Sequence, residues 1–238
     1  MTAAEHPPEP PWWTPPKNSG PRRSLTRATI LAAARPILRA EGIDGLSMRR
    51  LATELGTGPA SLYAHVANKD ELLDLLFDQV AGEIPLPEPD PARWREQFTA
   101  LWTAAHETLM DNGDIARVSL GRVPLGPNSM RAAETTVVIL RGAGIPPQPV
   151  AWALDAVPLY VAASAVENAI GVAQARVGNP PEEHYARVAE YFAALSPTHY
   201  PLMSGMAREL AEGGRTERFA FGLDLLVRGL ESHIAPQG

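Results

Sequence analysis

Apolar residues recur every three or four positions along most of the chain, and no long stretch alternates apolar with polar residues; this period predicts an all-α protein. The first helix should run from a Thr26 cap to about Gly42, with Ile30, Ala34, Ile37 and Leu38 on one side. Pro36 lies inside it and is expected to bend or weaken its middle, because its ring removes an N–H and crowds the carbonyl four residues back. Ser47 can cap a short helix over 48–55 that buries Met48, Leu51, Ala52 and Leu55, and Gly56 ends it. Pro59 suits the first turn of the next helix, 59–65, which Leu62 and Val66 anchor to the core. Asn68 caps a fourth, in which Leu72, Leu73, Leu76 and Val80 make a stripe running to Ile84.

The sequence LPEPDP at 86–91 breaks the pattern and marks a seam. It divides the chain into an extension at 1–24, a head with its connecting helix at 25–84, and a body at 85–238. In the body, Asp90 and Pro91 start a helix carrying Trp94, Phe98, Leu101, Ala105 and Leu109. Further helical segments are expected over 114–122, 128–141, 149–174 with an interruption at Pro158, 182–195, 199–212 and 216–234. Nothing repeats at a fixed interval.

Charge changes the picture. The net charge is -6, the wrong sign for a nucleic-acid partner. Up to Lys69, however, nine basic residues outweigh five acidic ones, giving +4, so the rest of the chain carries -10. A basic module on an acidic body is the pattern of a polyanion-contacting part attached to something else; chance clustering of surface arginines is the plainer account. There are 0 cysteines, which excludes disulfides and thiolate chemistry and fits a reducing cytoplasm. No uninterrupted apolar run approaches the ~20 residues needed to cross a bilayer, so no membrane partner is expected. The Pro-rich first residues should be extended and without a core of their own.

Two short helices joined by a tight Gly-containing turn form a helix-turn-helix. The second can be short because only its N-terminal end needs to reach base edges in the major groove. Gly58, Ala60 and Ser61 permit close approach, Tyr63 and His65 can donate to phosphate oxygens, and Lys69 adds a cation beside them. The rival account makes these ordinary core helices with rim side chains.

The stretch SMRRLATELGTGPASLYAHVANKDELL resembles the DNA-binding segment of the tetracycline-repressor (TetR) family of bacterial regulators, from Leu25 through Leu76. The resemblance implies a three-helix DNA-binding head with a helix-turn-helix, a larger helical ligand-binding and dimerisation domain, and a homodimer reading a palindromic double-stranded operator. On this alignment Arg49 matches a base-contacting arginine, Gly58, Pro59, Ala60 and Ser61 match the reading helix, and Tyr63, His65 and Lys69 match phosphate contacts. Ser47, Arg50 and Thr57 complete the expected contact set. Pro59 stands where a base-reading polar side chain would be, which leaves more to Arg49, Arg50 and DNA shape. Arg22 and Arg23, in the extension, are candidates for a minor-groove arm or for a solvated tail.

The stretch WREQFTALWTAAHETLMDNGDIARVSLGRVP is similar to the start of the tetracycline-repressor type of C-terminal domain, a likeness that fades after Asn168. There Ser119 replaces the histidine that binds the drug's magnesium, and Asn168 falls at a second acidic position. No magnesium–tetracycline chelate, no metal and no cofactor is therefore expected. The body should instead hold a small organic effector, with Trp102, His106, Met110, Ser119, Arg122, Thr136, Trp152, Asp155, Asn168 and Met203 as candidate contacts, each singly more often ordinary packing. Phe219, Leu223, Leu226, Leu230 and Ile234 on the last helix, and Val157, Val161, Ala165 and Ala169 on the long one, are either a dimer face or intramolecular core. The expected function is a ligand-responsive transcriptional repressor of the cytoplasm; a helical adaptor without sequence-specific DNA binding and a small-molecule enzyme are the alternatives. No phosphate loop GxxxxGK[ST] and no metal-ligand spacing among the histidines supports the enzyme.

Overall fold

A computed structural model describes residues 25–120, 123–176, 178 and 181–234. Twelve α-helices and two 3-10 turns account for the regular structure, with no strand among the described residues. The head comprises α1 (Arg27–Gly45), α2 (Met48–Glu54), α3 (Pro59–Tyr63) and α4 (Lys69–Ala81). The body follows: α5 (Trp94–Asp111), α6 (Ala116–Ser119), α7 (Pro127–Gly142), α8 (Pro147–Arg176), α9 (Pro181–Ala193), α10 (Pro201–Gly205), α11 (Ala207–Ala211) and α12 (Arg215–Glu231).

The caps form where local chemistry calls for them. Thr26 and Thr29 exchange bonds between each side chain and the other's backbone N–H. Ser47 Oγ accepts from Arg50 N at 3.1 Å, and Asn68 Oδ1 accepts from Glu71 N at 2.8 Å. Gly56, at φ 62, closes α2: Gly56 N donates to Thr53 O and Thr57 N to Ala52 O, satisfying two last-turn carbonyls. Ile30, Ala34, Leu38, Leu46, Leu51, Leu62, Val66, Leu72 and Leu76 fill the head's interior, each at most 1% exposed.

Several expectations need correction. No residue around Pro36 leaves helical geometry; the non-helical residue of α1 is Gly42, at φ 72 and ψ -175, the expected end of the helix, and a further turn carries α1 to Gly45. Likewise α8 continues through Pro158 for 30 residues. A helix-interior proline costs roughly 3 kcal/mol, and full burial of neighbours at ~1.5–3 kcal/mol each offsets it: Ile37 and Leu38 beside Pro36, Val157 and Val161 beside Pro158. The segment 199–212 is not one helix. Met206, at φ -107 and ψ 16, interrupts it, and Ser204 Oγ turns back onto the carbonyls of Tyr200 and Pro201, competing with helix continuation. Residues 114–119 form a 3-10 turn and one helical turn, and α4 stops at Ala81, short of Ile84. Leu55 is the half-buried C-cap of α2, outside the helix proper.

The two candidate dimer stripes turn out to be mainly intramolecular. Phe219, Leu223, Leu230, Val157, Val161 and Ala165 are all buried within the single chain, where α8 packs on α5, α6 and α12. The large apolar side chains left outside on these helices are Trp152, Leu159, Ile170 and Val172 on α8 and Phe221 and Leu225 on α12. This face also revises the hydropathy reading. Pro147–Ala175 is long and apolar enough, by length and composition, to cross a membrane, with mean hydropathy 1.4 over its most apolar window; Asp155 and Glu167 interrupt the apolar run in the sequence but not the average.

Candidate nucleic-acid interface and effector cleft

The outward side of the head is built by α2, the four-residue turn and α3. Leu62 and Val66 pin α3 inward, so Gly58, Pro59, Ala60 and Ser61 are exposed at its first turn, with Tyr63 51% exposed beside them. Thr57 is half-buried in the turn, its N–H consumed by the α2 cap. Arg27, from α1, fixes the far end of α3 by donating to His65 O at 2.9 Å and pairing with Glu71 at 3.3 Å. His65 is half-buried, and its carbonyl is thus structural.

The cations divide sharply by partner. Arg50 pairs with Glu54 at 3.0 Å and Glu41 at 3.4 Å, and both carboxylates hold its guanidinium more firmly protonated than usual. Lys69 Nζ donates to Ile43 O at 2.7 Å, tying α4 to the end of α1. Ser47 is a helix cap. Arg35 and Arg39 face the body. Among the described residues, Arg49 alone of the head's basic side chains is exposed and has no acceptor. Charge counting therefore overstated the free positive charge of the head. Arg22 and Arg23 lie outside the described residues.

Head and body meet through a compact polar joint. The Asn112 carboxamide, 2% exposed at the end of α5, accepts from Arg35 Nε at 3.0 Å, Arg35 Nη2 at 2.7 Å and Arg39 Nη2 at 3.0 Å. Glu83, just past α4, pairs with Arg35, whose guanidinium lowers its carboxyl below the ordinary range. Asp114 accepts from Ile43 N at 3.1 Å and from Arg117 at 2.7 Å. On the other side, Asp78 of α4 caps α7 by accepting from Asn128 N at 3.0 Å and Ser129 N at 2.9 Å. A Cβ at Gly126 would collide with that carboxylate.

In the body, three of the candidate ligand contacts lie along the α5–α8 contact, and of these only Asn168 lines the cleft that opens beside it. His106, buried, contacts Ser164 Oγ through Nε2 at 3.0 Å and stacks on Phe219 at 3.8 Å between centroids. Desolvation lowers its pKa, which keeps the imidazole neutral near pH 7. Asn168 donates to the Met110 sulfur and accepts from Arg215 Nη1 at 2.9 Å. Tyr160 also lies parallel to Phe219, with centroids 5.6 Å apart, and donates to Phe219 O at 2.9 Å; Gly222 gives its hydroxyl room. Burial raises the Tyr160 pKa. Two adjoining cavities, about 570 Å³ and about 190 Å³, open here, both lined by Tyr185 and Arg215.

The other candidates fall elsewhere. Thr136 is fully buried with its hydroxyl on Ala132 O. Ser119 lines a separate cavity of about 300 Å³ beside Leu75 and Asp78. Trp102 packs half-buried against the core, its indole N–H without an acceptor among the described residues. Trp152, Asp155 and Met203 are exposed, away from the cleft, and Arg122 lies outside the described residues. Sequence reasoning missed Tyr160, Ser164, Tyr185 and Arg215. The spacing of Tyr160, Ser164 and Asn168, one α8 face four residues apart, was the available signal.

Residues 30–76 match the family described as bacterial regulatory proteins, tetR family, and residues 86–234 match the tetracyclin repressor-like C-terminal domain. The chain belongs to the tetR family. Members of this family are DNA-binding transcriptional regulators that act as dimers, not enzymes. The chain is 34% identical over 226 residues to the HTH-type transcriptional repressor DrrR1 of Streptomyces coeruleorubidus, covering 91% of this chain and 81% of that one. It is 32% identical to the class G tetracycline repressor protein of Vibrio anguillarum, covering 87% and 94%. Among solved structures, the TetR family protein ActR of Streptomyces coelicolor in complex with actinorhodin superposes with a TM-score of 0.82 at 38% identity, covering 90% of this chain and 99% of that one.

Proposed function

We propose that this tetR-family regulator represses transcription by seating the α2–α3 face of each protomer in an operator's major groove. A small organic molecule held in the α8–α9–α12 cleft then loosens that grip. The observation that carries the DNA reading is the exposed first turn of α3, with unpaired Arg49 on one side and Tyr63 on the other, on a rigidly buried base. Arg49 is suited to guanine O6 and N7, Ser61 and Tyr63 to phosphate or base edges, and Gly58, Pro59 and Ala60 to close backbone approach. Two such heads in a dimer would lie about one helical turn apart, about 34 Å. The exposed Trp152, Leu159 and Ile170 of α8 and Phe221 and Leu225 of α12 are the surface we assign to the partner protomer. The work of such a protein is at the chromosome, in the cytoplasm.

The cleft is connected to the head by contacts already described. Asn168 touches Met110, two residues before Asn112, and Asn112 receives Arg35 and Arg39 of α1. Occupation of the cleft that shifts Asn168 would move the end of α5 and reset the angle of α1, changing the distance between heads. Couplings of this kind are typically ~1–3 kcal/mol. ActR, solved with actinorhodin and with (S)-DNPA, provides a precedent for a small organic ligand on this fold.

Fluorescence polarisation on a labelled fragment from upstream of the protein's own gene tests the reading. Binding that falls steeply with salt, and is reversed by a compound that binds the body, is expected. A protein with no preference among duplexes at low salt would favour the adaptor alternative.

A further inference from the structure

The cleft has an asymmetry of charge that its shape does not explain. Arg218 also lines it, but it is tied to three backbone carbonyls, Nη2 on Leu210 O and Glu212 O and Nε on Gly213 O, with its Cζ 4.9 Å from the Tyr185 ring centroid. Arg215 differs. Its Nη1 is held by Asn168, yet its Nε is buried and meets no acceptor among the described residues. A guanidinium donor removed from water and left unsatisfied is costly. The chain nevertheless keeps it there: Gly171 occupies the interior of a 30-residue helix, where glycine disfavours helix, and a Cβ at that position would collide with the Arg215 guanidinium. The cradle and the group it holds are thus built together.

We propose that Arg215 is the anchor for the carboxylate of a planar aromatic effector. This rests on the effector reading of the cleft given above. The anion should be single rather than a phosphate dianion, because Arg218 is already bound to three backbone carbonyls and Glu167 stands in the same wall. A carboxylate matches the planar guanidinium edge, and the Asn168 carboxamide lies at the same spot. A flat ring is indicated by the neighbouring parallel stack, Tyr160 on Phe219 at 8° and His106 on Phe219 at 12°. The adjoining cavities, about 570 Å³ and about 190 Å³, accommodate a fused ring system.

The test uses the full-length dimer and a matched pair of probes, 2-naphthoate and neutral 2-naphthamide, by isothermal titration calorimetry. Naphthoate is expected to bind at least tenfold more tightly than naphthamide. Arg215→Gln should bring the ratio close to one, and Arg215→Lys should restore part of it. Thermal melting checks folding; should Arg215→Gln not fold, Gly171→Ala, which displaces the guanidinium without removing it, must reduce the ratio instead. A wild-type ratio near one, no binding of either probe at millimolar concentration, or a ratio that survives in the folded variants would overturn the proposal. Operator retention is read on the same samples. Selective naphthoate binding that leaves DNA bound supports the ligand class and counts against the cleft as the effector site. Release by a neutral compound, with a ratio near one, does the reverse.

Discussion

Arg49 and Lys69 are both cations of the reading head, yet they serve different ends. Arg49 is exposed without an acceptor among the described residues, while Lys69 is bonded to Ile43 O. Arg49→Ala should weaken operator binding by about 10- to 100-fold, the ~1–3 kcal/mol of a bidentate base contact, measured by polarisation at fixed salt. Lys69→Met should instead lower folding stability by about 1 kcal/mol, read as a shifted urea midpoint, and leave the salt slope of DNA binding almost unchanged. His106 makes a pH prediction. Burial depresses its folded pKa below the ordinary 6.5, so above that value both folded and unfolded chains hold it neutral. As pH falls below 6.5 the unfolded chain takes the proton first, and stability declines until the folded pKa is passed. Urea midpoints between pH 7.5 and 5 should show this decline, and His106→Gln should flatten it.

At the scale of the element, the head was the more legible part of the sequence. Thr26, Ser47, Asn68 and Gly56 act locally, bonding within a few residues of themselves, so their roles follow from composition and spacing. Leu62 and Val66 were likewise readable from helical period alone. Long-range partners were not: that Asn112 would take Arg35 and Arg39, or that Gly171 makes room for Arg215, depends on elements brought together only by folding. The candidate effector residues show the same limit. Asn168 meets Met110 and His106 meets Ser164, while Trp152, Asp155 and Met203 are exposed elsewhere, because type and helical placement do not reveal which face is turned inward. Two elements lend themselves to testing. Asp78→Ala removes the cap of α7 and should cost ~1–2 kcal/mol of stability, seen in denaturant melts. Asn112→Ala should leave effector affinity of the isolated protein near wild type but reduce the change in operator affinity that the effector produces, read by paired titrations with and without DNA.

The whole molecule works only as a pair. Period alone could not separate the stripe that packs inside the chain from the one proposed to meet a partner, since both lie on α8 and α12; burial separates them, placing Leu223 and Val157 inward and Phe221, Leu225 and Leu159 outward. Placing a charge at Leu225, as Leu225→Asp, should convert the dimer to monomer in analytical ultracentrifugation and abolish operator binding at nanomolar protein, because one head alone contributes half the contacts. The account as a whole is tested most directly by selecting bound duplexes from a random DNA pool with wild-type protein and with Arg49→Ala. The wild type should enrich a palindrome whose half-sites are separated by about one helical turn, and the variant should lose the preference at the base pairs Arg49 contacts. A pool that emerges without a shared sequence, or an identical palindrome selected by both proteins, would contradict the α2–α3 face and Arg49 as the means by which this chain reads DNA.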